Sequence, residues 1–227
     1  MTPDDTARTP LATITDRIDK AATLAGRKPE DVALIAVSKT REASAIVPLL
    51  DAGHRLFGEN RVQETASKWP DLRETYPDAR VHLIGQLQSN KAEDAVALFD
   101  AIHVVDRPSL VTALAKAMDK LGKRPDCFLQ VNIGDEDQKG GCAVADLPAL
   151  VDAAHAAGLP VVGLMCLPPA DIEPAPYFAL LAKLARDHGL EALSMGMSDD
   201  FETAVTIGAT HVRIGSALFG PRMETAA

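Results

Sequence analysis

The chain has 227 residues, of which 47% are hydrophobic and 24% charged, and its net charge is -9. This length suits a domain with a sizeable core. The acidic balance offers no basic footprint for nucleic acid. No apolar run approaches the roughly 20 residues of a membrane span. The polar, acidic start from Met1 to Asp5 lacks the regions of a signal peptide. We therefore expect neither nucleic acid nor a membrane as a partner.

The cysteines and histidines show no pattern of a disulfide framework or a metal site. Cys127, Cys142 and Cys166 are odd in number and far apart, which excludes recognisable zinc-ligand spacing. The six histidines include no pair at metal-binding spacing on a helix. Few unpaired cysteines fit a reducing compartment, so we expect a cytoplasmic protein without a metal.

Short apolar runs alternate with amphipathic stretches along the chain. The first predicted element is a helix from about Asp4 to Ala25, which stops near Gly26. Eight runs are then predicted as strands: Val32–Ser38, His54–Gly58, Val81–Gly85, Ala101–Val105, Asp126–Ile133, Val161–Met165, Ala192–Ser194 and His211–Ile214. The predicted helices between them include Ser109–Leu121, Leu147–Ala157, Pro176–His188 and Asp199–Ile207.

This alternation predicts an α/β fold, a single-domain (β/α)8 TIM barrel with an extra N-terminal helix. A doubly wound open sheet is the alternative. No Gly/Ser-rich or proline-rich linker divides the chain, so residues 1–227 are predicted to form one barrel domain. Within it, residues 1–28 are expected to hold the helix that packs on the barrel, and residues 221–227 a short tail.

Lys39 follows the first apolar run, where a buried strand should end. A lysine is costly to bury alone, and a low-dielectric environment lowers its pKa. Such a lysine is a candidate amine nucleophile that forms a Schiff base with an aldehyde. On this segment alone, a lysine that has already reached solvent is the alternative.

Glycine and serine residues follow the last two predicted strands. Gly215 and Ser216 follow the eighth strand, and Gly196 and Ser198 follow the seventh. In barrels of this type these two loops often hold phosphate. Glycine lets the backbone approach an anion, and serine supplies a hydroxyl and an amide. The two loops therefore predict a phosphate site, although Ser198 also suits a helix N-cap.

Two further polar residues are candidates for ligand contact. Arg213 shares a strand face with His211 and Gly215, because residues two apart on a strand point the same way. It suits a phosphate contact or a hydrogen bond to a cofactor's ring nitrogen, and an exposed or ion-paired arginine is the alternative. Asn60 comes just past the second strand, where it would either contact a ligand or cap the next helix.

Six segments carry a specific resemblance. They are, in chain order, Ala36–Thr40, Phe57–Glu64, His82–Lys91, Gly163–Met165, Leu193–Asp200 and Val212–Gly220. Together they resemble the pyridoxal phosphate homeostasis protein family (YggS/PROSC), in the same order and from about Val32 to Gly220. The resemblance implies the barrel domain that this family shares with alanine racemase and bacterial-type ornithine decarboxylase.

The resemblance also implies a cofactor and its ligands. Lys39 would hold pyridoxal 5′-phosphate (PLP) as a Schiff base. The phosphate would be held by Ser198, Gly215 and Ser216, with a backbone contact from Met197. The cofactor-binding set expected here is therefore drawn from the ends of several predicted strands.

The same resemblance places Arg213 opposite the pyridine nitrogen and Asn60 near the ring. Two positions depart from the family pattern. Gln86 stands where many members have proline, and Gly140–Cys142 follows Lys139 where an aliphatic residue is usual after the glycine. Both lie outside the phosphate loops, so they concern ring-side or lid details. Lys139 would be a second cofactor contact or a solvated loop lysine.

The resemblance implies a PLP carrier or regulator rather than a dedicated enzyme. Arginine is a cation without an acceptor, so it favours an unprotonated ring nitrogen and a weaker electron sink. Few residues follow Gly220, so the second, β-rich domain of racemase-like enzymes is not expected, and neither Tyr76 nor Tyr177 lies in a matched segment.

The expected partners are PLP, other B6 vitamers and PLP-requiring apo-enzymes, and the expected state is a monomer. The alternative is a small PLP-dependent amino-acid racemase or lyase. A third class, a barrel enzyme acting on sugar phosphates without PLP, predicts no imine at Lys39.

Overall fold

Eight parallel strands close into a barrel in chain order in this computed structural model, which describes residues 8–220. The strands are β1 (Ala33–Val37), β2 (Leu56–Glu59), β3 (Arg80–Leu83), β4 (Ala101–Val105), β5 (Asp126–Val131), β6 (Val161–Cys166), β7 (Ala192–Ser194) and β8 (His211–Ile214). β1 pairs with β8, with Leu34 opposite Val212, so every strand has two neighbours. The predicted (β/α)8 barrel is confirmed, and the open-sheet alternative is wrong.

Helices surround the barrel. They are α1 (Pro10–Leu24), α2 (Ala43–Asp51), α3 (Val62–Thr75), α4 (Ala92–Leu98), α5 (Pro108–Leu121), α6 (Leu147–Ala156), α7 (Ala175–Asp187), α8 (Phe201–Ile207) and α9 (Ser216–Phe219). Single 3₁₀ turns lie at Pro29–Asp31, Ser89–Lys91 and Val144–Asp146. Between residues 8 and 220, no helix has both the length and the apolar character that crossing a bilayer requires.

The strands are apolar because helices cover one of their faces and the barrel interior covers the other. Every residue of β4 is buried, and Phe57 and Trp69 pack with their ring centroids 5.0 Å apart where β2 meets α3. Continuous apolar runs of this kind are typical of parallel barrel strands. The predicted bounds of β4, β7 and β8 agree with the structure residue for residue.

The N-terminal helix is shorter than predicted at its start. α1 begins at Pro10, because Thr9 has extended backbone and its hydroxyl accepts a hydrogen bond from the amide of Ala12 at 3.2 Å. The predicted start at Asp4 lies outside the described residues. α1 packs on α8, where Arg17 forms a 2.8 Å ion pair with Glu202. The extra helix therefore lies against the last α/β unit of the barrel.

Two strand ends were predicted one or two residues away from their observed positions because turns intervene. The amide of His54 donates to Leu49 O at 2.9 Å, so His54 closes the turn that follows α2, and β2 begins at Leu56. β3 ends before Gly85, whose backbone lies against Asn60. A Cβ at Gly85 would come within 2.5 Å of Asn60 O, so only glycine fits.

The fifth strand ends at Val131 rather than at Ile133. Asn132 leaves the ladder, since its amide donates to Cys142 O at 2.8 Å and its side chain bonds the backbone of Glu136. Residues after β5 thus form a loop that folds back beside the strand end. This loop carries Lys139.

Helices α2 and α3 each contain a proline, Pro48 and Pro70. Helix ends predicted from the positions of proline would therefore be wrong for both helices. Proline removes one backbone donor and normally ends a helix. Here tertiary packing outweighs that cost, because Ile46 and Leu50 of α2 are fully buried and Trp69 of α3 is as well. Tertiary context overrides local propensity in both helices.

Three histidines from different strands meet inside the barrel. His103 of β4 is stacked on Phe128 at 4.0 Å between ring centroids, and its Nε2 lies 2.9 Å from Nδ1 of His82. His211 of β8 lies with its ring edge toward Phe128, at 5.2 Å between centroids. This cluster is not visible as a spacing in the sequence, because it joins residues from β3, β4 and β8.

The cluster is neutral at physiological pH. Burial, the largest cause, lowers the pKa of His82 to about 3 and that of His211 to about 4, each from 6.5. The pKa of His103 also falls well below its usual value through burial. Charging any of these rings inside the barrel is costly, since the charged form loses its hydration.

These pKa values predict a loss of stability in acid. Each buried histidine is neutral in the native state, while the unfolded chain takes up a proton as the pH falls below about 6.5. The unfolded state then binds more protons, so the free energy of unfolding falls with pH, by about 1.4 kcal/mol per pH unit for each histidine. His211→Leu should reduce the slope of the free energy of unfolding against pH by about 1.4 kcal/mol per pH unit, the contribution of one histidine. Urea unfolding between about pH 6.5 and 5 measures this slope.

The matched control is His155→Leu on α6, since His155 is exposed and its substitution should leave the slope unchanged. Burial raises the pKa of Asp200, so Asp200 changes the free energy of unfolding with pH in the opposite direction, and it does so equally in every variant. The comparison therefore rests on differences between variants. Equal slopes for His211→Leu and the parent chain would contradict a neutral His211 in the native state.

Candidate functional site

A cleft of about 290 Å³ opens at the carboxyl ends of the strands. All seven residues predicted as cofactor ligands line it: Lys39, Asn60, Met197, Ser198, Arg213, Gly215 and Ser216. They come from the ends of β1, β2, β7 and β8, which are far apart in the chain. Closure of the barrel brings them together, because the carboxyl ends of parallel strands meet on one face.

Lys39 is half-buried and lies in the loop that follows β1. The loop turns at Thr40, which has a positive φ of 61° and a backbone conformation that few non-glycine residues adopt. The amide of Thr40 donates to Glu64 Oε1 at 2.5 Å. Lys39 is thus a partly exposed residue of the cleft lining, held next to a fixed turn.

A buried ion pair holds the backbone on both sides of Lys39. Lys68 Nζ lies 2.7 Å from Glu59 Oε1, and both side chains are almost completely buried. The same ammonium donates to Ser38 O at 3.1 Å and to Arg41 O at 3.0 Å. Since Ser38 and Arg41 flank the Lys39–Thr40 turn, Lys68 fixes the loop from beneath.

One carboxylate oxygen of Glu59, Oε1, takes all its partners from the end of β1 and from α3, while the buried Oε2 has none among the described residues. Besides Lys68, its Oε1 accepts hydrogen bonds from Ser38 Oγ at 2.6 Å and from Trp69 Nε1 at 3.0 Å. The sequence singled out Asn60 after β2 but indicated no role for Glu59, and it did not point to Lys68. The available signal was a carboxylate ending a buried strand, because such a charge requires a partner.

Two serine hydroxyls meet at one end of the cleft. Ser216 Oγ, at the start of α9, donates to Ser198 Oγ at 3.2 Å. The loop between β7 and α8, which carries Ser198, turns at Gly196. Gly196 has a φ of 91°, and an added Cβ there would lie 2.5 Å from Ala204 Cβ. The close approach of this loop to α8 therefore requires glycine, and it brings the two hydroxyls together.

The capping alternatives are not what the structure shows. The N-cap of α8 is Asp200 rather than Ser198, and that of α3 is Arg61 rather than Asn60. Asp200 Oδ1 accepts the amide of Met197 at 2.5 Å, so the backbone donor expected from Met197 already has a partner. α8 accordingly begins at Phe201 and not at Asp199 as predicted.

Arg213 is buried at the base of the cleft, with 4% of its surface exposed. Its Nη1 donates to Ser194 Oγ at 2.6 Å and its Nη2 to Cys166 O at 2.9 Å. Burial is the main cause that lowers its pKa, yet a guanidinium remains protonated in proteins. The alternative of an exposed or ion-paired arginine is therefore wrong, and Arg213 presents a fixed positive charge to the cleft.

The cleft walls contain apolar residues that the sequence did not single out. Val37, Ile84 and Leu167 line it, at the ends of β1, β3 and β6. Such residues suit contact with a flat ring. Their positions just after or at strand ends were the only signal. Among residues 8–220, no group of three or more histidine, cysteine or acidic residues is suited to hold a metal ion.

The two positions that depart from the family pattern lie beside each other and away from the cleft lining. Gln86 Nε2 donates to Gln130 Oε1 at 3.2 Å, and Gln130 Nε2 donates to Gly140 O at 2.9 Å. Lys139 forms a 2.5 Å ion pair with Glu136 and donates to Pro168 O at 2.7 Å. In this structure Lys139 thus secures its own loop.

The contacts that Lys68 makes with Glu59 and with the backbone around Lys39, called the loop clamp below, predict a large effect of Lys68 on stability. Lys68→Met leaves the carboxylate of Glu59 buried without its cation, so we expect the free energy of unfolding to fall by about 3–5 kcal/mol. Urea unfolding measures it. The double variant Lys68→Met/Glu59→Gln removes the unpaired charge and should recover much of the loss. Lys183→Met, which removes an exposed ion pair on α7, is the control and should change little. Equal losses for the two single variants would contradict the clamp.

Comparison with known proteins supports a common origin for this architecture. The profile of the family described as alanine racemase, N-terminal domain, matches residues 10–223. The pyridoxal phosphate homeostasis protein of Escherichia coli K12 is 41% identical over 224 residues, which cover 93% of this chain and 95% of the relative. That of Pseudomonas aeruginosa PAO1 is 42% identical over 218 residues, with 93% and 94% coverage.

Solved structures show the same similarity. PipY of Synechococcus elongatus, solved without PLP, has a TM-score of 0.80 and 40% identity, and the match covers 91% of this chain and 100% of PipY. PipY solved with PLP bound has a TM-score of 0.76 and 39% identity over the same shares of both chains. A Clostridium difficile alanine racemase, 14% identical with a TM-score of 0.66, shares the fold, and the match covers 92% of this chain and 56% of that chain.

A family profile that spans nearly the whole chain thus agrees with full-length relatives above 40% identity. This chain belongs to the alanine racemase N-terminal domain family, among the proteins named pyridoxal phosphate homeostasis proteins.

Proposed function

We propose that this protein binds pyridoxal 5′-phosphate as a Schiff base on Lys39 and serves PLP homeostasis without a dedicated catalytic reaction. One observation carries the proposal. The amine of Lys39, the paired hydroxyls of Ser198 and Ser216, and the buried guanidinium of Arg213 all line one cleft. A relative 39% identical, PipY, has a structure with PLP bound.

The residues fit this cofactor by their chemistry. The Lys39 amine condenses with the aldehyde carbon, and one water leaves. The hydroxyls of Ser198 and Ser216 suit the phosphate, and Gly215 leaves the backbone beside them without a side chain. Arg213 faces the ring nitrogen in the proposal, as a donor to an unprotonated nitrogen. When bound, the cofactor supplies an aldehyde and a conjugated ring.

Asn60 and Met197 complete the proposed set. Asn60 is half-buried beside the turn at Gly85 and supplies amide groups to the ring side. Met197 lines the cleft from the loop after β7, with its amide engaged by Asp200. The backbone contact that the resemblance implies would therefore share this amide with Asp200, and the Met197 side chain adds a packing contact.

The groups missing from the cleft lining favour a carrier over an enzyme. Among the described residues that line it, the titratable side chains are Lys39, Arg41 and Arg213, with no carboxylate, histidine, cysteine or tyrosine. Racemisation needs two groups that give or take a proton on opposite faces of the substrate; Lys39 suits one face, but arginine serves poorly as the second group. Tyr76, a candidate by residue type, donates to Asp51 at 2.5 Å on the outer surface.

We further propose a cytoplasmic monomer that exchanges PLP, and other B6 vitamers, with PLP-requiring apo-enzymes. The described thiols, Cys127, Cys142 and Cys166, are free and buried, and burial raises the pKa of each to about 12. Unpaired thiols suit a reducing compartment. The most exposed large apolar residues are Leu24, at the end of α1, and Ile172, in the loop between β6 and α7.

The proposal predicts that Lys39→Ala abolishes the imine. With PLP, the parent protein should show a visible imine absorption band, and borohydride should reduce the imine and fix the label on Lys39 in peptide mass mapping. Lys39→Ala should lose both signals. Lys139→Ala is the matched control, since Lys139 is outside the cleft lining and should leave both unchanged.

An imine that persists in Lys39→Ala, or a label on a surface lysine, would refute the site. The same proteins test the role. Loaded parent protein should turn over D- and L-amino acids no faster than Lys39→Ala with equal free PLP. Turnover that depends on Lys39 would establish the racemase or lyase alternative instead.

The phosphate end predicts a selective loss of affinity. Ser216→Ala removes one hydroxyl donor to an anion, so PLP should bind about tenfold more weakly while the imine still forms. Binding of pyridoxal, which lacks the phosphate, should be unaffected, as both are measured by spectroscopic titration. Ser109→Ala, at an exposed serine of α5, is the control. Equal losses for PLP and pyridoxal would contradict a phosphate contact at Ser216.

A further inference from the structure

A chain of hydrogen bonds runs from Arg213 into the barrel. Arg213 Nη1 donates to Ser194 Oγ at 2.6 Å, Ser194 Oγ lies 2.8 Å from His103 Nδ1, and His103 Nε2 lies 2.9 Å from His82 Nδ1. Ser194 and His103 are fully buried, and neither lines the cleft. The proposed cofactor contacts use Arg213 alone, so the residues behind it need a separate explanation.

The direction of this chain follows from Arg213. A guanidinium only donates, so Ser194 Oγ accepts from it. The hydroxyl proton of Ser194 then has His103 Nδ1 as its acceptor among the described contacts. His103 consequently carries its proton on Nε2 and donates to Nδ1 of His82. Every bond in the chain therefore points away from the cleft.

The hydrogen-bond chain from Arg213 to His82 requires a neutral His103. A protonated ring would present N–H groups on both nitrogens, and it would offer Ser194 a donor where the hydroxyl needs an acceptor. It would also bring a second cation near Arg213. The groups around His103 oppose protonation, because its pKa is lowered first by burial and then by His82, His211 and Arg213. His103 thus remains an acceptor throughout the physiological range.

We propose that Ser194 and His103 are positioning residues that hold the Arg213 guanidinium against the ring end of the cleft, so that the protein selects ligands with a ring nitrogen that accepts a hydrogen bond. The inference rests on the proposed function, since the ligand class is a pyridine aldehyde phosphate. It assigns a role to two buried residues, and the selection is for one ring atom rather than for the phosphate or the aldehyde.

Two anchors fix the plane of the guanidinium. The second is the carbonyl of Cys166 on β6, which accepts from Nη2 at 2.9 Å. A planar fork held at two nitrogens loses its rotational freedom, so the direction of its other N–H groups is set before the ligand arrives. Ser194 donates to His103 while it accepts from Arg213, and such cooperative bonding strengthens the contact to the arginine.

The test compares PLP with 1-deaza-pyridoxal 5′-phosphate, in which C–H replaces the ring nitrogen. The parent protein should bind PLP about tenfold or more tightly than the deaza analogue, because only PLP pairs with the buried cation. His103→Phe keeps a ring for stacking on Phe128 but removes the acceptor, so it should abolish this preference. His103→Asn, whose Oδ1 replaces Nδ1 as acceptor, should restore part of it.

Ser194→Ala provides a second variant that breaks the same link without altering the aromatic stack, and it should also lose the preference. Thermal unfolding measures whether each variant keeps its stability. A purely structural role of Ser194 or His103 would weaken the binding of PLP and of the deaza analogue equally, and so leave the preference unchanged. Preference retained in Ser194→Ala and His103→Phe would overturn the inference while the imine on Lys39 upholds the proposed function. An absent preference in the parent protein would also overturn the inference. Absence of any imine would refute the proposed function itself.

Discussion

The site depends on a permanent positive charge that the barrel keeps away from water. Arg213 is 4% exposed, and it remains tolerable there because a hydroxyl and a backbone carbonyl accept its N–H groups. Lys68 is the second buried cation, and it is satisfied in the same manner by Glu59 and by two carbonyls beside Lys39. Each cation orders a different wall, so the interior electrostatics set the shape of the cleft before any ligand binds.

Much of the fold was predictable because strands covered on both sides must be apolar throughout. That constraint located all eight strands, and it bounded β4, β7 and β8 without error. It failed where local rules conflict with packing. Pro48 and Pro70 lie inside helices that breaker rules would have ended, and Thr9 starts α1 later than its periodicity indicates. These elements are determined by contacts that are distant in sequence.

The candidate site divides in the same way. Residues at strand ends, such as Lys39 and Ser216, could be found from the sequence because barrel topology brings strand ends together. Their roles toward PLP came from resemblance and remain predictions. Ser194 and His103 behind them could not be identified, since each acts through a side chain that crosses from another element, and the carboxylate of Glu59 indicated that a partner exists without indicating Lys68. Pairing of buried polar groups is a property of the closed barrel, not of a segment.

The contact between Gln86 and Gly140 limits how this part of the surface can diverge. A Cβ at position 140 would fall 1.6 Å from Gln86 Nε2, so any larger residue would force the amide aside and break its bond to Gln130. The present position of the Gln86 amide therefore depends on glycine at position 140. A substitution at position 140 would thus act on the end of β3 through Gln86, although the two segments are far apart in the chain.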